Sequence, residues 1–172
     1  MRAFLAWLAA LFARPAQAAE KPKPTGIDAA KFIAGFEGFR SVPYLPTPRD
    51  RPTIGYGTTK YPDGVAVTLA DPPCTEAQAL AWLAHDVAAA EAAVDLYVTV
   101  PINEAQRTAL TSFVFNCGIT AFAGSTMLRL LNGKRYGDAC REFARWDKQA
   151  GIQLAGLTKR RAAEAALFGG HP

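Results

Sequence analysis

Glu37 stands where a carboxyl group could do acid chemistry. The spacing of Phe32, Ile33 and Phe36 predicts a short helix capped by Asp28, and Gly38 is its stop, so Glu37 falls at the negative end of a helix dipole between Phe36 and Phe39. Both influences favour the protonated form of a carboxyl, which suits a general acid that must still hold its proton near neutral pH. The competing reading is an exposed glutamate on a short amphipathic helix, and position 37 alone does not decide between them. Metal chemistry has less behind it. His85 and His171 are far apart, no Cys-x-x-Cys is present, and neither a metal nor a cofactor is expected. Cys74, Cys117 and Cys140 allow at most one intramolecular bridge; Cys117 falls on an apolar helical stripe, where a free buried thiol and a paired one are both open.

The elements around Glu37 change character along the chain. Between Tyr44 and Leu69 the β-prone runs Thr53–Thr58 and Val65–Thr68, with the turn Pro62-Asp63-Gly64, predict a small antiparallel sheet. After Pro73 the pattern is helical. Thr75 with Gln78 forms a capping box for a long helix toward Asp95, and Asn103 starts another that carries Leu110, Phe113, Val114 and Cys117 and stops at Gly118. Shorter helices are predicted over Ser125–Leu131, Tyr136–Lys148 and Thr158–Phe168, with Trp146 in the core. The expected fold is α+β: a small antiparallel β lobe on a larger helical lobe, with a cleft where the two meet.

The chain has 172 residues, 50% hydrophobic and 20% charged, the balance of one soluble domain; a second full domain is excluded. Its net charge of +4 is unevenly spread: residues 61–124 hold Arg107 alone against seven acids, while both flanking parts are basic. Met1-Arg2, the apolar run Ala3–Ala13 and Ala16-Gln17-Ala18 have the form of an export signal. The run is too short for a permanent anchor, but its alanine content also suits a segment held transiently in the membrane and then released. The expected organisation is a leader over 1–18, a Pro/Lys/Gly tether over 19–27 and a catalytic domain over 28–172.

A set of motifs in order then narrows the reading. Glu37-Gly38-Phe39-Arg40, Pro43-Tyr44 and Pro52-Thr53-Ile54-Gly55-Tyr56-Gly57-Thr58-Thr59 resemble the signature of the phage-type lysozymes, and the likeness continues through Phe113–Gly118, Ser125–Leu128, Trp146 and Gly156–Arg161 with Glu164. The resemblance implies a lysozyme-like fold. It also implies hydrolysis of the β-1,4 bond between N-acetylmuramic acid and N-acetylglucosamine in peptidoglycan, by a Glu, an Asp and a Thr. Glu37 matches the acid and Thr53 the threonine. Tyr44, Tyr56 and Asn116 are expected as substrate contacts, with Asn116 open to a helix-end hydrogen-bonding role instead.

The aspartate departs from the family pattern. Pro46 stands where the family's Asp would fall, and the nearby carboxylate is Asp50, with twelve residues between it and Glu37 and two between it and Thr53. Asp50 is expected to turn inward as the second negative group; the competing reading is a solvated loop residue paired with Arg49 or Arg51. Thr58 replaces a histidine common in the family. At least one of Arg160 and Arg161 is expected on a basic helix face, with Arg161 open to pairing with Glu164 or another acid. The implied partner is the glycan strand of peptidoglycan, met by a monomer in the periplasm of a Gram-negative host, with no nucleic acid involved. Two other classes stay open: a lytic transglycosylase on the same bond and a non-catalytic wall-binding module.

Overall fold

The computed structural model describes residues 27–170; the expected leader and nearly all of the tether lie outside the described residues. Helix α1, Ile27–Glu37, starts just before Asp28, which therefore lies in the first turn and not ahead of it. Strand β1, Arg40–Tyr44, pairs antiparallel with β2, Thr53–Gly55, and the register sets Arg40 opposite Gly55 and Tyr44 opposite Thr53. Five residues of β1 thus span three of β2, and the surplus bulges around Pro43, which has no N–H for the ladder. The 65–68 run contributes less than expected: Lys60 and Ala66 form an isolated bridge, closed by a turn in which Gly64 N–H donates to the Tyr61 carbonyl at 2.9 Å.

Helix α2, Glu76–Tyr97, has the predicted capping box at Thr75 and Gln78, and α3, Glu104–Cys117, has one at Asn103 and Gln106 and ends at Gly118. Then follow α4, Ile119–Ala123, which was not anticipated, and α5, Thr126–Asn132, capped by Ser125. The predicted 136–148 helix is broken. It runs as α6, Tyr136–Glu142, continues as a 3₁₀ turn over Phe143–Trp146 and passes into a hairpin of β3, Lys148–Gln149, and β4, Ile152–Gln153. Ala150 and Gly151 turn that hairpin with φ of 50° and 81°, the left-handed pair that a tight two-residue connection needs. Helix α7, Ala155–Gly169, closes the described chain and packs against α3.

Two buried clusters share one shaft. Ala79, Leu83 and Val87 of α2 pack with Ala29, Ala30 and Ile33 of α1 and with Ile54 and Tyr56, while Ala90, Ala93 and Val94 further along α2 join the core of α3, α5, α6 and α7. Phe113 is the hub of the second cluster, with edge-on rings of Phe143 and Trp146 at 5.5 and 5.2 Å. Such pairs are worth about 0.5–1.5 kcal/mol each beyond the area they bury. Trp146 therefore sits against the core as expected. The two clusters meet along α2, and α1 packs against α2 and α3 beside them.

Candidate active site

Glu37 closes α1 and is partly exposed, its side chain 28% accessible. Gly38 follows with φ of 69°, a left-handed turn that releases the chain into β1. The surroundings of the carboxyl differ from the expectation of a helix end among aromatic rings alone. Arg160 Nη1 on α7 donates to Glu37 Oε1 at 2.7 Å. The guanidinium itself is buried and lies 5.1 Å from the centroid of the Phe36 ring.

Arg160 is in turn held from behind. Its Nε donates to Glu164 Oε1 at 3.2 Å and its Nη2 to the Ser112 carbonyl at 3.3 Å, while the Ser112 hydroxyl donates to the same Glu164 oxygen at 2.6 Å. Arg161 flanks the other Glu164 oxygen, with Nε at 2.8 Å from Oε2 in an ion pair whose angle misses hydrogen-bond geometry, and its Nη2 donates to Oε1 at 3.0 Å. Complete burial pushes the Glu164 carboxyl above its ordinary range, opposed by the two arginines and the Ser112 hydroxyl. The expected pairing of Arg161 with Glu164 is present. The exposed basic face is absent: both arginines are buried. Arg160 and Ser112 were missed as supports of Glu37; the i, i+4 spacing of Arg160 and Glu164 signals their own pairing on one side of a helix and carries no sign of Glu37 or Ser112.

Thr53 begins β2 and is buried, its hydroxyl donating to the Arg51 carbonyl at 3.0 Å. Strand pairing sets it across from Tyr44, at the end of the hairpin whose first strand follows closely on Glu37. Tyr44 is partly exposed with the Arg40 guanidinium 4.9 Å from its ring centroid, so a face of this strand end stays open. Asp50 sits exposed on the loop between the strands, where its N–H donates to the Thr47 carbonyl at 3.0 Å in a turn. Its side chain makes no hydrogen bond or ion pair among the described residues, so the pairing with Arg49 or Arg51 is not formed.

The remaining expected contacts divide. Tyr56 is a core residue: it is 7% exposed, its ring lies 5.5 Å from that of Phe39, and its hydroxyl donates to Glu76 Oε1 at 2.8 Å. Its ring and its hydroxyl are thus both engaged within the fold. Asn116 is exposed at the end of α3 and accepts from Arg161 Nη2 at 3.0 Å. Cys74, Cys117 and Cys140 are free thiols; Cys117 accepts from Arg161 Nη1 at 2.9 Å, and desolvation raises its pKa. Thr58, in place of the family histidine, is buried with its hydroxyl unpartnered.

The arrangement is a carboxyl held by an arginine from α7, a buried hydroxyl at the start of β2 and an untethered carboxylate on the loop between the strands. Comparison with known proteins places it. An endolysin of Acyrthosiphon pisum secondary endosymbiont phage 1 is 39% identical over 140 residues, covering 79% of this chain and 91% of that protein. A SAR-endolysin of Escherichia phage Mu is 42% identical over 94 residues, 55% of either chain. Among solved structures, a P22 lysozyme mutant superposes with a TM-score of 0.73 at 38% identity, covering 82% of this chain and 94% of that one. The phage lysozyme family matches residues 34–164, and the chain belongs to that family.

Proposed function

We propose that the protein is an endolysin that hydrolyses the β-1,4 bond between N-acetylmuramic acid and N-acetylglucosamine in bacterial peptidoglycan, with Glu37 as the general acid. The observation that carries this reading is the fixed carboxyl at the lobe junction, in a chain of the phage lysozyme family. Arg160 engages Glu37 Oε1, which leaves Oε2 as the oxygen able to hand a proton to the glycosidic oxygen as the bond breaks. The sugar then carries positive character that needs a negative group and a water on its other face. The Thr53 hydroxyl spends its hydrogen on the Arg51 carbonyl, so its lone pairs are free to accept from and orient that water. Asp50 supplies the negative group when its loop closes over bound glycan, and Tyr44 and Asn116 contact the strand. The leader over 1–18 delivers the domain across the inner membrane to the periplasm of a Gram-negative host, in keeping with the SAR-endolysin name of the phage Mu relative.

The exposed, unpartnered Asp50 favours one alternative, a transglycosylase that works with the glutamate alone and ends in an anhydro sugar. Mass spectrometry of digested peptidoglycan separates the two. Reducing muramic acid ends are expected, and anhydromuropeptides as the main product would replace the hydrolase reading. Glu37→Gln should fold normally and lose activity by about 10²–10⁴. A variant that keeps most of its activity would remove Glu37 from the acid role, and wall binding without turnover by the unaltered protein would make it a binding module.

A further inference from the structure

A cavity of about 540 Å³ lies in the β lobe, away from Glu37, and nothing derived above uses it. Tyr61, Asp63, Asp71, Pro72, Gln78 and Trp82 are among its lining residues. The Tyr61 and Trp82 rings meet at 63° with centroids 4.9 Å apart, forming an aromatic corner; both are half-buried and backed by the β-lobe core. No lysine, arginine or histidine lines the cavity, and it belongs to the stretch of chain in which Arg107 alone faces seven acids. Asp71 is held ionised, below the usual carboxylate range, by Thr68 and by the Tyr61 hydroxyl at 2.9 Å. Asp63 gives one oxygen to the Val65 N–H at 2.9 Å and keeps the other free.

The cavity also offers a donor. Gln78 Oε1 accepts from the Thr75 N–H at 2.8 Å and the Thr75 hydroxyl at 3.0 Å, which fixes the amide and turns its N–H₂ away from the cap. An aromatic corner with carboxylates takes an alkylammonium, and an amide N–H₂ beside it takes an acceptor such as a carboxylate. We infer that this cavity binds the amino-acid head, ammonium plus carboxylate, of the diamino acid in peptidoglycan stem peptides. The inference rests on the peptidoglycan reading given above. Its reach is consistent: a side chain at Gly55 would come within 3.8 Å of Trp82 Cε3, and Gly55 is two positions along β2 from Thr53, so the cavity lies on the order of 10 Å from the hairpin end. A stem peptide attached to the muramic sugar spans that distance in about three extended residues.

Calorimetric titration of the full-length protein tests this without glycan or turnover, so its outcome is independent of whether Glu37 cleaves sugar. The probes are the tripeptide alanyl-glutamyl-diaminopimelate blocked by acetylation on its alanine nitrogen, the same peptide acetylated also on the free amine of the diaminopimelate, and cadaverine. The tripeptide should bind, and the second acetylation should weaken it by about tenfold or more through loss of the cation. Asp63→Asn and Trp82→Leu should each weaken it by about fivefold with the thermal midpoint of Asp63→Asn unchanged. Tripeptide binding that survives the second acetylation, or that Asp63→Asn leaves intact, would overturn the assignment. Cadaverine binding as tightly as the tripeptide would remove the carboxylate from the recognised group and point to free diamines, which overturns the stem-peptide source.

Discussion

The two carboxylates proposed for the same reaction live under opposite physical regimes. Glu37 ends a helix packed in one lobe and is gripped by an arginine rooted in the other, through Arg160, Glu164 and Ser112, all buried. Asp50 rides on a solvent-exposed loop rich in proline, fixed by a single backbone turn and by no contact of its own side chain. The difference teaches a division of labour. A proton donor must be aligned within tenths of an ångström before substrate arrives, whereas a group that only stabilises charge can be brought in by the substrate-bound loop.

Breaking the grip should have the largest consequence. Arg160→Leu leaves Glu164 opposite one arginine in place of two and strips Glu37 of its partner. Removing one member of a buried ionic network typically costs about 3–5 kcal/mol, and denaturant unfolding should register a loss of that size together with strongly reduced activity. A loss under about 1 kcal/mol would mean that the network does not hold the junction. The loose side should behave differently. Asp50→Ala should leave unfolding unchanged and reduce turnover by about a hundredfold, read in a wall-clearing assay at saturating substrate. Loss of only a few-fold would return Asp50 to the solvated loop and strengthen the single-glutamate alternative.

The same contrast explains what could be read from sequence. Helices α2 and α3 were legible to their starts because the Thr75–Gln78 capping box and Asn103 are local signals that tertiary packing had no reason to override; the matching box of Asn103 with Gln106 emerges only in the structure. Strand β1 was hidden, since Pro43 argues against a ladder and only the pairing with β2 reveals the bulge that accommodates it. The break after α6 was hidden as well, because helix and 3₁₀ turn share a periodicity over so few residues. In the site, Glu37 and Thr53 were marked by their motifs, but the Arg160 contact joins residues 123 positions apart and has no local trace. The Tyr56 environment has no local trace either: its hydroxyl donates to Glu76, twenty positions along the chain.

A smaller effect probes the hairpin that both sides share. Thr53→Val keeps the volume and β-branching and deletes the hydrogen bond to the Arg51 carbonyl. About 0.5–1.5 kcal/mol of stability should be lost, the worth of one such bond. If Thr53 also orients water, turnover should fall by more than that stability change accounts for, while a purely structural threonine would show normal turnover well below its melting temperature.

The smallest effect comes from setting Asp50 beside Asp71, two loop aspartates of the β lobe with opposite wiring. Asp71 accepts from the Thr68 hydroxyl, the Thr68 N–H and the Tyr61 hydroxyl, and these bonds hold its pKa below the ordinary 3.8. A carboxyl depressed on folding contributes stability above its unfolded pKa and loses it as pH falls through the lower folded value. The melting temperature of Asp71→Asn should therefore lie below that of the parent at pH 7, and the gap should close progressively below about pH 4 as Asp71 takes up its proton. Asp50→Asn, whose carboxylate has no partner to lose, should track the parent across the same range. A gap for Asp71→Asn that stays constant down to pH 2 would show that the bonds around it act through geometry and not through charge, and that the two aspartates differ less than their surroundings imply.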